Sequence, residues 1–70
     1  MEIGARNRLD AKVVSIKRGS VMCQVKVELV AGGAAMESVM TLDSLDEMGL
    51  KVGDKVRVAV KAVNVLLLKD

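Results

Sequence analysis

Hydrophobic and polar residues alternate along much of this chain with a period of two, which is typical of half-buried β-strands. The alternation is clearest from Val21 to Leu29, where every second residue is apolar. From Leu9 to Ile16 the apolar positions change phase at Val13-Val14, which predicts a β-bulge or strong bend. The residues Lys17-Arg18-Gly19-Ser20 between the two segments predict a turn, so these strands are expected to pair as a hairpin.

The rest of the chain predicts three more strands and one helical turn. A glycine pair within Val30–Ala34 indicates the next turn, because glycine accepts positive φ angles. A third strand is expected near Met36–Leu42 and a fourth around Val56–Val60, which has one charged face. The last segment, Val63–Leu68, becomes apolar on both faces and predicts a fifth strand buried at an interface.

The helical turn is predicted over 43–49. Ser44 lies three residues before Glu47, as in a capping box, so Ser44 is interpreted as the N-cap. Gly49 stands where a helix C-terminal glycine belongs. Five short strands with a helical turn between strands 3 and 4 predict an all-β fold, a small five-stranded OB-like Greek-key barrel formed by a single domain over residues 1–70.

Composition indicates that this small barrel is stabilised by association with other copies. The chain has 70 residues, 51% of them hydrophobic, and none is aromatic. So short a chain buries only about 60% of its unfolded surface. Since it has one cysteine and no histidine, neither an internal disulfide nor a common zinc site is available. Cys23 is expected to be a small buried hydrophobe, and the chain is expected to form a homo-oligomer.

The charge and the residue types of the chain argue against nucleic-acid binding, membrane association and catalysis. The formal net charge is +2, from 11 basic and 9 acidic residues, without a block of like charges, so strong attraction to nucleic acid or to a membrane is not indicated. No apolar run is long enough to span a bilayer and no signal peptide is evident, so a cytoplasmic location is expected. The chain also lacks a residue constellation for acid–base or nucleophilic catalysis, which argues against an enzyme.

Three polar segments interrupt the apolar pattern at the predicted ends of strands. They are the Arg6 segment (Gly4–Asn7), the Thr41 segment (Thr41–Ser44) and the Lys61 segment (Val60–Ala62). They offer a guanidinium fork, hydroxyl groups, an ammonium group and backbone N–H groups. Such a set of hydrogen-bond donors suits a tetrahedral oxyanion.

The order and spacing of four segments resemble those of the molbindins, or Mop-like proteins, which have a TOBE or OB-like domain. The segments are Ala5–Leu9, Thr41–Ser44, Leu50–Asp54 and Val60–Ala62. The resemblance covers essentially the whole chain. It implies an OB-like barrel that binds molybdate or tungstate without an organic cofactor, as a cytoplasmic carrier or storage protein. It also implies a hexamer, a trimer of intertwined dimers, with the oxyanions held between subunits.

Carried over by position, the resemblance assigns seven residues to an oxyanion site between subunits: Ala5, Arg6, Asn7, Thr41, Ser44, Lys61 and Ala62. The family commonly has serine at the position of Gly4, so a hydroxyl ligand is missing there or is replaced by a backbone N–H group. A further candidate site is the turn Arg18-Gly19-Ser20, because threefold packing would gather its amides around one axis.

Two other functions remain open from the sequence. An OB-type module that binds nucleic acid is disfavoured, since such folds stack bases on aromatic side chains and this chain has none. A structural or regulatory oligomer without a ligand would use the same polar segments to join its subunits.

Overall fold

The computed structural model describes residues 7–69, which form one antiparallel sheet and one short α-helix. The elements are β1 (Asn7–Arg18), β2 (Met22–Leu29), β3 (Ala35–Thr41), α1 (Leu42–Met48) and β4 (Lys55–Val60), followed by a 3₁₀ helix at Ala62–Asn64. The spatial order of the strands is β3-β2-β1-β4. Among these residues, no helix is long and apolar enough to cross a bilayer.

The bulge predicted in the first strand is confirmed. The pairing of β1 with β2 shifts register between Val13 and Ser15. Val13 is fully buried, whereas Val14 lies at the surface. The Val13 backbone bonds the turn that precedes β4: its N–H donates to the Asp54 carbonyl at 2.9 Å, and its carbonyl accepts from Gly53 N–H at 2.8 Å. The bulge therefore also fixes where β4 begins.

The two hairpin connections agree with the sequence pattern. Between β2 and β3, Gly32 and Gly33 have φ angles of 84° and 70°, in the left-handed region that favours glycine. Between β1 and β2 the connection is shorter than predicted, because β1 continues through Arg18. There the Gly19 N–H donates to the Met22 carbonyl at 2.8 Å, which closes the turn.

The core lies between the inner face of the sheet and α1. Its buried members are Ala11, Val13, Cys23, Val25, Val27 and Leu45. Five of them come from β1 and β2, the two central strands, and Leu45 is the one buried residue of α1. Cys23 is a free thiol that is 3% exposed, as its place in the alternating pattern predicts.

The helix is placed correctly, but its N-cap is not Ser44. Thr41 is the N-cap: its backbone is extended, and its hydroxyl oxygen accepts from the Ser44 N–H at 3.1 Å. The cap lies there because β3 runs directly into α1 without a loop, so the last strand residue caps the helix. At the other end Gly49, with φ of 64°, is the C-cap, as predicted.

The prediction of a closed five-stranded barrel is wrong for the residues that the structure describes. These residues form a four-stranded half-barrel, and 63–68 forms no strand, beginning instead in the 3₁₀ helix. Leu66, Leu67 and Leu68 are 85%, 92% and 92% exposed. A strand that is apolar on both faces needs a layer on each side, and the chain supplies neither at this position. Because no fifth strand forms among the described residues, β3 and β4 are the unpaired edges of the sheet, and an open seam separates them.

Candidate functional site

Pairing of β1 with β4 brings Asn7, the last residue of the Arg6 segment, to the same end of the sheet as the Lys61 segment. Asn7 lies directly opposite Val60, and Lys61 follows Val60 in the chain. Two segments that are more than fifty residues apart in sequence thus become neighbours. Gly4, Ala5 and Arg6 lie outside the described residues, and Asn7 places the end of their segment beside Lys61.

The backbone after β4 presents N–H groups next to the Lys61 side chain. Lys61 is exposed and is the N-cap of the 3₁₀ helix, with an extended backbone and no side-chain capping bond. Its carbonyl accepts from Asn64 N–H at 2.9 Å, and the Ala62 carbonyl accepts from Val65 N–H at 3.2 Å. The first N–H groups of a helical turn have no partner within the turn, and that of Ala62 has no backbone acceptor among residues 7–69. An ammonium and a backbone donor therefore lie side by side.

The Thr41 segment is organised around one hydrogen bond between two hydroxyl groups. Thr41 Oγ1 donates to Ser44 Oγ at 2.9 Å while it accepts from the Ser44 N–H. Both residues are exposed. Since one of the two hydroxyl protons is used within the pair, the pair offers a single O–H donor to an anion. Thr41 thereby orients the Ser44 hydroxyl as well as capping α1.

Replacing Thr41 by alanine is expected to lower the free energy of unfolding by about 1 kcal/mol, because the α1 N-cap is lost. Ser44→Ala keeps the backbone N–H that donates to Thr41 and is expected to have a smaller effect. Urea unfolding of the two variants and of Thr41→Ser, which retains a capping hydroxyl, measures the difference. Equal stability of Thr41→Ala and Thr41→Ser would contradict the capping role.

The Thr41 segment lies at the opposite end of the sheet from Asn7 and Lys61. Thr41 pairs with Met22, which begins β2 beside the end of β1 at Arg18. Asn7 begins β1, so the two groups are separated by the 12 residues of that strand. At about 3.3 Å per residue this strand is at most roughly 35 Å long, in a molecule whose longest dimension is 37 Å. The predicted donors therefore lie in two separate groups, the proposed Thr41 half-site and the proposed Lys61 half-site, which one chain does not bring together.

The second candidate site, the turn at Arg18-Gly19-Ser20, has donors that are already engaged within the chain. The Arg18 guanidinium donates to Asp46 Oδ1 at 3.1 Å, and Gly19 N–H donates to the Met22 carbonyl. The Arg18–Asp46 pair joins the end of β1 to α1. Sequence reasoning missed this role of Asp46, since the partners are 28 residues apart and no local pattern links them. Ser20 is exposed, and anion binding by this turn stays a prediction.

The cavities and acidic groups of the described chain do not indicate a metal ion held directly by side chains. Within residues 7–69, no cluster of three or more His, Cys, Asp or Glu side chains is placed to hold a metal. A cavity of about 220 Å³ opens at the seam between β3 and β4. Most of its lining is apolar, including Met36, Met40 and Val58, so it does not coincide with the polar half-sites.

Comparison with known proteins gives consistent matches over nearly the whole chain. The family model for the TOBE domain matches residues 4–67. Molybdenum-pterin-binding protein 2 of Clostridium pasteurianum is 43% identical over 68 residues, which are 97% of this chain and 98% of that protein.

Two solved structures share the fold. A molybdate binding protein from Sporomusa ovata superposes with a TM-score of 0.89 and is 36% identical, with 99% of this chain and all of that chain covered. The cytoplasmic molybdate-binding protein ModG, solved with molybdate bound, has a TM-score of 0.80 and 37% identity over 89% of this chain. The match covers 43% of ModG, so ModG is more than twice as long as the matched part.

Proposed function

Because this chain belongs to the family of TOBE domains and is a relative of the Mop proteins, we propose that it binds molybdate or tungstate reversibly and without catalysis. The observation that supports the proposal is the pairing of Asn7 with Val60, which sets Asn7, the last residue of the Arg6 segment, beside the start of the Lys61 segment. Several donors on a small patch, without an acidic residue in either segment, suit an oxyanion.

The donor chemistry favours a fully deprotonated anion. Guanidinium, ammonium and backbone N–H groups donate hydrogen bonds and do not accept them. Molybdate and tungstate are unprotonated dianions at neutral pH and need donors alone, whereas monoprotonated phosphate also needs an acceptor, and in the proposed site only the Asn7 amide and the Thr41 and Ser44 hydroxyl groups have an accepting side-chain oxygen. Sulfate satisfies the same criterion, so selection against sulfate rests on the size of the site.

Each oxyanion site lies between subunits in this proposal. The Thr41 half-site and the Lys61 half-site lie at opposite ends of β1 in one chain, so a second copy must complete each site. Exposed leucines at 66–68 and the open seam provide apolar surface for association. A hexamer built as a trimer of dimers meets both needs, with storage or buffering of the anion in the cytoplasm as its role.

An inorganic anion fits this chain better than a pterin. The relative from Clostridium pasteurianum is named as a molybdenum-pterin-binding protein. A planar pterin is held well by stacking on aromatic rings, and the full sequence contains no Phe, Trp or Tyr. Calorimetric titration with molybdate, tungstate, sulfate, a pterin and a single-stranded oligonucleotide separates the alternatives. Heat from molybdate and tungstate alone is the expected result, and saturable binding of only the oligonucleotide would overturn the proposal.

Molybdate is expected to raise the melting temperature. At a free concentration of 100 times the Kd, a ligand that binds only the folded state stabilises it by about 2.7 kcal/mol. For a domain of this size that corresponds to a shift of roughly 10–20 °C. Scanning calorimetry at one protein concentration, with sodium sulfate as the ionic control, measures the shift. A melting temperature unchanged up to millimolar molybdate would instead support an oligomer without this ligand.

A further inference from the structure

One ion pair ties the middle of α1 to the end of β1. We propose that Arg18 and Asp46 are positioning residues: their ion pair sets the rotation of α1 about its axis, and thereby the direction in which Ser44 presents its hydroxyl group. Neither Arg18 nor Asp46 contacts the anion in this role. The inference rests on the proposed function for its anion, and its structural part is tested without a ligand.

The helix α1 is too short to be stable by itself. It has seven residues, fewer than the roughly 12–15 at which an isolated helix is even marginally stable in water. Leu45 is its one buried residue, and Leu42 packs against the core only partly buried. Burial therefore holds α1 along one line and resists rotation about that line weakly. Contacts on the two flanks of Leu45 are needed to fix the rotation.

Ser44 and Asp46 lie on opposite flanks of Leu45, since successive helical residues are rotated by about 100°. On the Ser44 flank, the Ser44 N–H donates to Thr41 Oγ1 at 3.1 Å. On the Asp46 flank, the Arg18 guanidinium donates to Asp46 Oδ1 at 3.1 Å. Both contacts reach back to the sheet, because Thr41 ends β3 and Arg18 ends β1. The helix is thus held on both sides of its buried residue.

Arg18 lies at the end of the sheet where α1 begins. It pairs with Cys23, and the residue before Cys23, Met22, pairs with Thr41. Among residues 7–69, the Arg18–Asp46 contact is the one side-chain hydrogen bond between α1 and either central strand. Loss of this contact leaves the Asp46 flank without a polar tether, so α1 is expected to rotate more freely.

A positioning role for Arg18 differs from that of an anion ligand in the turn Arg18-Gly19-Ser20. As a ligand, Arg18 would bind an anion more tightly once Asp46 no longer competes for its guanidinium group. As a positioning residue, Arg18 acts only together with Asp46, so loss of either partner weakens binding. Removing Asp46 thus separates the two roles by the sign of the change in affinity.

Alanine variants of both partners and a charge-swapped pair test the positioning role. Arg18→Ala and Asp46→Ala are each expected to weaken molybdate binding about two- to fivefold, because an exposed ion pair contributes no more than this. R18E/D46R restores a pair of opposite charges and is expected to recover the wild-type affinity. Lys17→Ala and Glu47→Ala are the matched controls: each removes the same charge at a neighbouring exposed residue that forms no ion pair within residues 7–69. Calorimetric titration measures the affinities.

Hydrogen exchange in the ligand-free protein measures the positioning directly. Since the Ser44 N–H donates to Thr41 Oγ1, rotation of α1 opens this bond. Exchange of the Ser44 amide with solvent is expected to be about two- to fivefold faster in both alanine variants and to return to the wild-type rate in R18E/D46R. The amide of Val25, which is 2% exposed in a central strand, is the internal reference. Circular dichroism reports the folding of each variant.

The outcomes distinguish the positioning role from the proposed function. Weaker binding in both alanine variants, with recovery in R18E/D46R, supports the positioning role. Unchanged or tighter binding in Asp46→Ala, relative to Glu47→Ala, overturns it. If the wild-type protein binds no molybdate, the proposed function fails and exchange of the Ser44 amide decides. Faster exchange in both alanine variants with recovery in R18E/D46R then supports the role, and exchange at the wild-type rate overturns it.

Discussion

Replacing Leu45 by alanine is expected to lower the free energy of unfolding by about 2–5 kcal/mol. Leu45 is 1% exposed and is the one buried residue of α1, whereas Leu42 packs against the core only partly buried. A 70-residue chain has a total free energy of unfolding of roughly 3.5–10 kcal/mol, so this substitution removes a large part of it. Without the Leu45 side chain, α1 is expected to pack less firmly against the core. Because α1 carries Ser44, anion binding is expected to weaken in the same variant.

Urea titration at a fixed protein concentration measures this effect. Val30→Ala is the control, because Val30 is 72% exposed in the turn between β2 and β3. Surface changes of this kind usually alter stability by no more than about 0.5 kcal/mol. Similar midpoints for the two variants would show that α1 does not depend on Leu45 for its packing.

Removing Arg6 and Lys61 together is expected to abolish most of the affinity for molybdate. A hydrogen bond to a charged group contributes about 1.5–3 kcal/mol, so the double alanine variant should lose about 3–6 kcal/mol. That is a rise in Kd of at least about 100-fold. The affinity falls because Arg6 and Lys61 supply the positive charges of their segments. A dianion enclosed between subunits is stable only when such charges compensate it.

Calorimetric titration of both single variants and the double variant provides the measurement. K26A/K51A removes the same amount of charge at exposed positions outside the polar segments, so it controls for the change in net charge. Each single variant should bind about tenfold or more weakly than that control. If the two single variants and the double variant all bind molybdate as tightly as the control, neither Arg6 nor Lys61 is a ligand.

Local patterns predicted the parts of the fold that depend on neighbours in sequence. The phase change at Val13-Val14 gave the bulge, the glycine pair gave the β2–β3 turn, and Gly49 gave the end of α1. Each of these features depends on the conformational preference or burial of a few adjacent residues, which the sequence displays directly.

The errors concern features that depend on distant or intermolecular partners. The segment 63–68 is apolar enough for a buried strand, but a strand also needs an edge to pair with, and no pattern within one chain shows whether that edge belongs to the same copy. The capping-box spacing between Ser44 and Glu47 favours Ser44 as the N-cap, whereas the direct passage from β3 into α1 makes Thr41 the cap.

For the candidate site, the sequence supplied residues but not their arrangement. The chemistry of Asn7, Thr41, Ser44 and Lys61 is evident from their types and order. The division into two groups at opposite ends follows from strand register, which joins Asn7 to Val60 and Thr41 to Met22. The assignments at Gly4, Ala5 and Arg6 stay predictions, since those residues lie outside the described part of the chain.

In the proposed site between subunits, the separation of the two half-sites links uptake and release of the anion to assembly. When a site is complete only after two chains meet, binding and assembly are linked equilibria, and each promotes the other by the same free energy. Apparent affinity for molybdate then rises with protein concentration, and dilution of the protein drives release without any change in the site itself. The amount of protein present thereby sets the free concentration of anion at which a store fills or empties.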